Sequence, residues 1–293
     1  MTRCWAIGST KTAIARFENG QIMGQTQYQT DGTTDPGTLV RQMCVQLRQL
    51  CYRRGDRLGV AVTGRVDNGG RWHAVNSETL SDIKGYPLAT SIEEMIGPAS
   101  IINDAAAAAL AEHRLGSGRG HRNFVYVTVS TGVGGGLILN GQLHQSPNGL
   151  AGHFGFASGV GETRSCGSGR FGTVESIASG LPIAGAARAL GHPKMDARAV
   201  FIEAQSGAKW ANTLIDASAC AISDLACDLS VLLGIDRVAI GGSIGLAGGY
   251  LERLRKHHSK LPEHFQSEIV TAKLGARGPL LGALLFDGNM TEN

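Results

Sequence analysis

An aspartate and three glycine turns are the residues of this chain best suited to chemistry. Asp104 follows the apolar run Ser100-Ile101-Ile102 and opens an alanine-rich stretch, Ala105 to Arg114. Carboxylates are among the side chains that can move protons when suitably placed. Asn-Asp ahead of an alanine run is also a helix N-cap, and for a lone pair that is the simpler reading. Ser130-Thr131-Gly132-Val133-Gly134-Gly135-Gly136 follows Phe124 to Val129, whose alternation predicts a strand. Glycines at such a turn let backbone N–H groups approach a phosphate closely. The run does not fit a dinucleotide fingerprint, because Leu137-Ile138-Leu139 predicts a strand where a helix is needed, and it lacks the Gly-Lys-Ser/Thr ending of a P-loop. Taken alone, a tight β-hairpin is the simpler reading here too.

The elements that position these residues repeat. Ile7-Gly8-Ser9-Thr10-Lys11 also follows a short apolar strand and precedes another, Thr12 to Phe17. Asn19-Gly20 and Asn140-Gly141 lie at the same offset after Thr10 and Thr131, and Asn-Gly between apolar runs is a strong hairpin signal. Two such units in one register argue for a duplicated fold. Between them the pattern is α/β. Asp35-Pro36 opens a helix toward Tyr52, Leu58 to Val62 predicts a strand, and Trp210 to Leu233 predicts a long helix. Gly241-Gly242-Ser243 forms the third glycine turn, after a strand from Arg237 to Ile240, and a helix from Gly278 to Phe286 comes last. Gly116-Ser117-Gly118-Arg119-Gly120 reads as a linker and candidate hinge. The expected domains are 1–115 with 278–293, and 116–277, with a ligand cleft between them.

Composition bounds the class. The 293 residues suffice for two cores, and a net charge of +3 is too mild to imply a nucleic-acid partner. No run reaches the roughly 18 apolar residues of a membrane span. The N-terminus breaks at Gly8 and Ser9 and does not read as a signal peptide. Six cysteines without a Cys-x-x-Cys pair read as free thiols, which suits a reducing, cytoplasmic setting.

Ile102-Asn103-Asp104-Ala105, Val127 to Gly136, Gly149-Leu150-Ala151-Gly152-His153, Glu175 to Gly180 and Ile240-Gly241-Gly242-Ser243 occur together and in order. With this set the chain resembles the ROK family of sugar kinases, and within it the bacterial branch that acts on N-acetylmannosamine. The resemblance spans nearly the whole chain. It implies an α/β, actin/hexokinase-like (ribonuclease H-like) duplicated two-domain fold with an interdomain cleft. It implies ATP with Mg²⁺, a small-molecule sugar substrate, a role in sialic acid catabolism, a homodimer, and no nucleic acid or membrane partner. Asp104 becomes the general base that takes the sugar hydroxyl's proton. Gly64, Arg65, Asn76, Asn103, His153 and Glu175 become sugar-binding residues. Gly8, Ser9, Thr10, Lys11, Thr131, Gly132, Gly134, Gly241 and Gly242 become the nucleotide clamp.

The chain departs from the family pattern in three places. The Asn-Pro-x-Asn-Leu stretch reads Asn76-Ser77-Glu78-Thr79-Leu80. The structural zinc segment retains Cys166 alone; Phe156, Ser168 and Thr173 stand at the other three ligand positions. Four nitrogen or sulfur ligands are the rule for structural zinc, so no zinc is expected, and Phe154, Phe156 and Phe171 are expected to pack where it would sit. In the first phosphate turn, Ala6 replaces the aspartate that organises Mg²⁺, and Ser9 replaces a glycine. The alternatives are therefore a catalytically impaired homologue that binds sugar or nucleotide, or a kinase for another hexose or N-acetylhexosamine. The family's repressor branch, with a DNA-binding domain ahead of the first turn, is disfavoured, since few residues precede Ile7.

Overall fold

A computed structural model describes residues 2–7 (backbone only), 11–18, 21–77, 80 and 83–287. In chain order the elements are β1 (Thr2–Ile7), β2 (Lys11–Glu18), β3 (Gln21–Gln29), α1 (Pro36–Gln49), β4 (Arg57–Val62), β5 (Arg65–Val66), β6 (Trp72–His73), β7 (Lys84–Tyr86), α2 (Leu88–Met95), β8 (Ser100–Asn103) and α3 (Asp104–Leu115). They continue as β9 (Phe124–Val129), β10 (Val133–Leu139), β11 (Gln142–Leu143), α4 (Val174–Ala178), α5 (Gly180–Ala189), α6 (Ala197–Gln205), α7 (Lys209–Leu233), β12 (Arg237–Gly241), α8 (Gly242–Gly245), α9 (Tyr250–His258), β13 (Glu268–Thr271) and α10 (Gly278–Leu285).

The chain divides into two compact units. One holds the residues up to Ala111, Gln145–Ala151 and those from Ala276 onward; the other holds Glu112–His144 and Gly152–Gly275. The division differs from the sequence expectation in giving Gln145–Ala151 to the first unit. Each unit carries a five-stranded sheet, ordered β3-β2-β1-β4-β8 in one and β11-β10-β9-β12-β13 in the other. In both, the first three strands are antiparallel and the last two parallel. The repeated order is the duplication that the paired hairpins announce.

The sequence explains the sheets. β4 is a continuous apolar run because a parallel strand is covered on both faces, and Leu58 through Val62 are all buried. Asn140 and Gly141 take φ values of 54° and 81°, the pair of left-handed residues that a type I′ hairpin turn needs. Asn19 and Gly20 lie outside the described residues. Asp35 caps α1 by accepting the Thr38 N–H at 3.0 Å, with Pro36 at the first helical position. The helix ends at Gln49, short of Tyr52, because Cys51 turns left-handed with φ 60°. One core gathers Val40, Met43 and Leu47 of α1 with Val60, Val62 and Trp72; the other gathers Ala219, Ile222 and Leu225 of α7 with Val125, Val127 and Val238.

The segment from Gly116 to Gly120 is not the open linker its composition suggests. The Glu112 carboxylate, 1% exposed, accepts the Ser117 N–H and hydroxyl at 2.8 Å each and the Leu274 N–H at 2.7 Å. A Cβ on Gly116 would fall 2.0 Å from that carboxylate. Gly116 and Gly118 serve close packing, while Gly120 turns left-handed in open space. The five described cysteines are free thiols, and no helix among the described residues is long and apolar enough to cross a membrane.

Candidate active site

In the first unit the parallel register between β4 and β8 sets Val62 opposite Asn103. The residues just past the two strand ends, Thr63 and Asp104, are therefore neighbours, at the edge where parallel α/β sheets bind ligands. Thr63 Oγ1 donates to Asp104 Oδ2 at 2.7 Å, and the Ala105 N–H donates to Oδ1 at 2.8 Å. Burial strips water from this carboxylate and raises its pKa above the usual aspartate value, against the pull of those two hydrogen bonds. A carboxylate lifted in this way is a better proton acceptor.

The cap of α3 is Asn103, not Asp104. Asn103 Oδ1 accepts the N–H groups of Ala105 at 3.0 Å and Ala106 at 2.9 Å, the reach of an N-cap. Its Nδ2 donates to the Gly64 carbonyl at 2.7 Å and to Asp104 Oδ1 at 3.3 Å. The N-cap reading of the Asn-Asp pair thus holds for Asn103, and Asp104 keeps a carboxylate beside Thr63. Gly64 sits at φ 91°, and a Cβ there would stand 2.5 Å from the His73 carbonyl, so glycine is required. Trp72, fully buried, donates its indole N–H to the Thr63 carbonyl at 2.8 Å. Arg65 Nη1 donates to the Asn148 carbonyl at 2.8 Å, and the Asn76 carbonyl accepts the Leu80 N–H at 3.1 Å. Gly64, Arg65, Asn76, Asn103 and Asp104 thus all belong to this unit. Gly8, Ser9 and Thr10 lie outside the described residues; Lys11 is the exposed first residue of β2.

In the second unit the glycine turn is shorter than its composition suggests. Ser130 to Gly132 make the turn, closed by the Ser130 N–H donating to the Gly132 carbonyl at 2.9 Å. Gly134, Gly135 and Gly136 already pair within β10. Gly135 is small because a Cβ would meet the Tyr126 carbonyl at 2.2 Å and the Phe154 ring at 2.6 Å. Ser130 and Thr131 open onto a cavity of about 540 Å³, well sized for a small organic ligand. Gly180, Ser243 and Ile244 also line it, with Leu181, Ala184 and Arg188 of α5 and Arg198 and Phe201 of α6 as a wall. Gly242, at φ 85°, lets α8 start against β9; a Cβ there would fall 2.3 Å from the Val129 carbonyl. Gly241 packs on the Tyr126 ring in the same way.

Glu175 lies behind this turn. It is 5% exposed, and its Oε2 accepts the Val133 N–H at 2.9 Å. A Cβ on Gly132 would come 2.6 Å from the same oxygen. His153 is partly buried and precedes a single 3-10 turn, Phe154–Phe156, with its ring stacked 6.2 Å from that of Phe156. His153, Glu175, Thr131, Gly132, Gly134, Gly241 and Gly242 are all in the second unit.

The chain matches the ROK family over residues 2–287. It belongs to that family. N-acetylmannosamine kinases of Haemophilus influenzae and Vibrio cholerae are 39% and 38% identical to it, over 96% and 94% of this chain and 94% and 96% of theirs. The crystal structure of a ROK hexokinase from Thermus thermophilus superposes with a TM-score of 0.83 at 27% identity, covering 97% of each chain. The fold is therefore the actin/hexokinase-like one.

Against the ROK zinc pattern, the donor set does not fit a metal. Thr173 is fully buried and spends its hydroxyl on α4, in a capping box with Ser176. Cys166 Sγ lies 3.0 Å from Ser168 Oγ, and Phe156 offers no donor. Among the described residues no group of three or more His, Cys, Asp or Glu gathers. The expected aromatic filling is only partly present: Phe154 is buried, but Phe171 is 69% exposed. A polar network holds the segment instead. Arg170 Nη2 donates to Ser158 Oγ at 3.1 Å, and Arg164 is paired with Glu162.

Three participants escape the sequence reading. Thr63 has a signal, since it directly follows a predicted strand and precedes Gly64, but its partner is set only by register. The wall formed by α5 and α6 has no local motif. Glu162 and Arg164 look like ordinary surface charges.

Proposed function

We propose that this protein is an ATP-dependent N-acetylmannosamine kinase, which transfers the γ-phosphoryl group of ATP to the 6-hydroxyl of the sugar. The chain is a sugar kinase of the ROK family, by family membership and by the kinases it resembles end to end. The observation that carries the chemistry is the arrangement at the ends of β4 and β8. There Thr63, Asn103 and the first turn of α3 hold a carboxylate whose pKa burial has raised.

In this reading the sugar hydroxyl oxygen attacks the γ-phosphorus, the bond to the β,γ-bridging oxygen breaks, and ADP leaves. Asp104 takes the hydroxyl proton, a contribution of about 10²–10⁴ in rate. Phosphoryl transfer otherwise needs positioning and charge neutralisation. Mg²⁺ enters with ATP as part of that substrate. Asn103 fixes Asp104 and the Gly64 loop; its two N-cap bonds leave it a supporting role toward the sugar. Thr131, Gly132, Gly241 and Gly242 serve the nucleotide, with the cavity beside Ser130 taking its nucleoside. Gly64, Arg65, Asn76, His153 and Glu175 serve the sugar. The proposed setting is sialic acid catabolism in the cytoplasm, by a homodimer.

A second reading has its own observation. Ala6, on β1, brings no carboxylate to the first turn, and Mg²⁺ is commonly held by one or two carboxylates. A chain so altered would bind its ligands and turn over slowly. The test is ADP release with Mg·ATP and N-acetylmannosamine, for the native protein and for Ala6→Asp. Robust native turnover supports the kinase and excludes the impaired homologue. Absent native turnover that the aspartate restores does the reverse. Faster turnover on glucose or N-acetylglucosamine would overturn the sugar assignment.

A further inference from the structure

Helix α4 ends in an unusual way. It has five residues, Val174–Ala178, and carries Glu175 in its first turn. In a continuing helix the Ser176 carbonyl would accept the Gly180 N–H. Here the chain turns out at Ser179, with ψ 167°, and the Gly180 N–H donates to the Ser130 carbonyl at 2.8 Å. Ser176 is left with an orphan carbonyl, the usual deficit of a helix C-terminus. Arg164 Nη2 fills it, at 2.8 Å.

Arg164 is itself held. Its Nε and Nη2 donate to Glu162 Oε2 at 2.9 and 2.5 Å, while Glu162 Oε1 accepts the N–H groups of Thr163 and Arg164 at 2.7 and 2.6 Å. The Glu162 side chain is 8% exposed, and this pairing holds its carboxyl below the usual range. The Gly172 N–H donates to the Arg164 carbonyl at 2.9 Å, and a Cβ on Gly172 would fall 2.7 Å from the Glu162 carbonyl. The Arg164 side chain is half exposed, and its bonds to Glu162 turn the guanidinium toward Ser176.

We infer that Glu162 and Arg164 form a metal-free latch. By supplying the donor missing at the Ser176 carbonyl, the latch leaves the Gly180 N–H to the Ser130 turn. It so positions both Glu175 and the wall of the cavity beside Ser130. Arg164 is a positioning residue. Its effect on turnover rests on the kinase reading; the latch itself does not.

The test is amide hydrogen exchange at Gly180 and Val133 in the full-length protein, beside the apparent KM for ATP. Arg164→Ala speeds exchange at both amides roughly 5- to 30-fold, the factor that corresponds to about 1–2 kcal/mol, and raises the KM for ATP more than it lowers kcat. Arg164→Lys keeps the charge but loses the planar fork and falls between. Arg170→Ala, on the same segment, leaves both amides unchanged. Should Arg164→Ala not fold, Arg164→Lys and Glu162→Gln carry the same comparison. Exchange within twofold of native in all three Glu162 and Arg164 variants overturns the latch. So does faster exchange after dialysis against a zinc chelator, or zinc near one equivalent in the purified protein. Because exchange needs no turnover, a protein inactive as a kinase still tests the latch.

Discussion

Gly132→Ala, read against Glu175, is the sharpest probe of how the second unit builds its turn. Gly132 does not sit in the left-handed region, so alanine strains no backbone there. By removing freedom from the unfolded chain the substitution alone would stabilise by about 0.4–1 kcal/mol. The new Cβ, however, would stand 2.6 Å from Glu175 Oε2, and the carboxylate must move. That oxygen is buried and holds the Val133 N–H at 2.9 Å. A hydrogen bond to a charged group contributes about 1.5–3 kcal/mol, so Gly132→Ala should cost about 1–2 kcal/mol net. Glu175→Ala should cost about 1–3 kcal/mol, since it leaves the same N–H buried and unpaired. In the double variant the added methyl meets no carboxylate, and Gly132→Ala becomes neutral or slightly stabilising. The urea midpoints of the four proteins, at unchanged m, give the coupling energy, expected at about 1–3 kcal/mol. Coupling below about 0.5 kcal/mol, the scatter of independent sites, would refute the contact and with it the claim that Glu175 braces the turn.

Other perturbations bear on the first unit and on pH. Asp104→Asn should abolish sugar-dependent ADP release while raising Tm at neutral pH. A carboxylate with a raised folded pKa contributes its stability below the ordinary aspartate pKa and loses it as pH rises through the raised value, so the gain should vanish in acid. Thr63→Val removes the hydroxyl that stabilises the charged form, and the acid limb of kcat/KM should move to higher pH. Gly64→Ala should destabilise by about 1–3 kcal/mol or more, from its left-handed φ and the clash with the His73 carbonyl, with a larger loss of turnover than of fold. His258 is 4% exposed, and its Nε2 accepts the Ser267 N–H at 3.0 Å. Burial depresses its pKa, so its contribution is full above the ordinary histidine range and is lost as pH falls through the depressed value. The difference in Tm between native protein and His258→Gln should shrink as the pH is lowered; a difference that does not change with pH would refute the neutral, buried histidine.

The sequence announces the hairpins because alternation and Asn-Gly turns act locally. It announces Asp104 because a strand end and a helix start meet there. What it hides depends on partners far along the chain. The alanine run suggests that the Asn-Asp pair caps α3, and only the bonds of Asn103 to Ala105, Ala106 and Gly64 show which of the two takes that task. Gly116 to Gly120 reads as a linker because composition cannot show the Glu112 carboxylate filling the space beside Gly116 and the Phe124 ring that beside Gly118. Gly134 to Gly136 read as part of a turn, although they pair within β10 and the smallness of Gly135 answers Tyr126 and Phe154. Phe171 counts as core by hydrophobicity and stands exposed, because the segment around it is closed by polar bonds at Arg164 and Arg170.

The duplicated sheets explain why the proposed base has no counterpart at the matching strand ends of the second unit. By register Val62 faces Ile7 of β1 and Asn103 of β8, while Gly241 faces Thr128 of β9, and Ile240 faces Thr271 of β13. Carried one residue further, Thr63 corresponds to Gly242 and Asp104 to Lys273. In the first unit that pair of positions gives a hydroxyl and a carboxylate 2.7 Å apart. In the second it gives a glycine packed against the Val129 carbonyl and an exposed lysine beyond the strand. A side chain at Gly242 would fill the space on which the Ser130 turn rests, so a copy of the base machinery there would exclude the turn. The same strand ends thus serve one purpose in each unit. If so, Gly242→Thr should leave the Asp104 environment untouched, destabilise the second unit through its left-handed φ and the clash with the Val129 carbonyl, and disrupt nucleotide binding. Retained affinity for ATP in that variant would show that the strand ends of the second unit do not shape the nucleotide site.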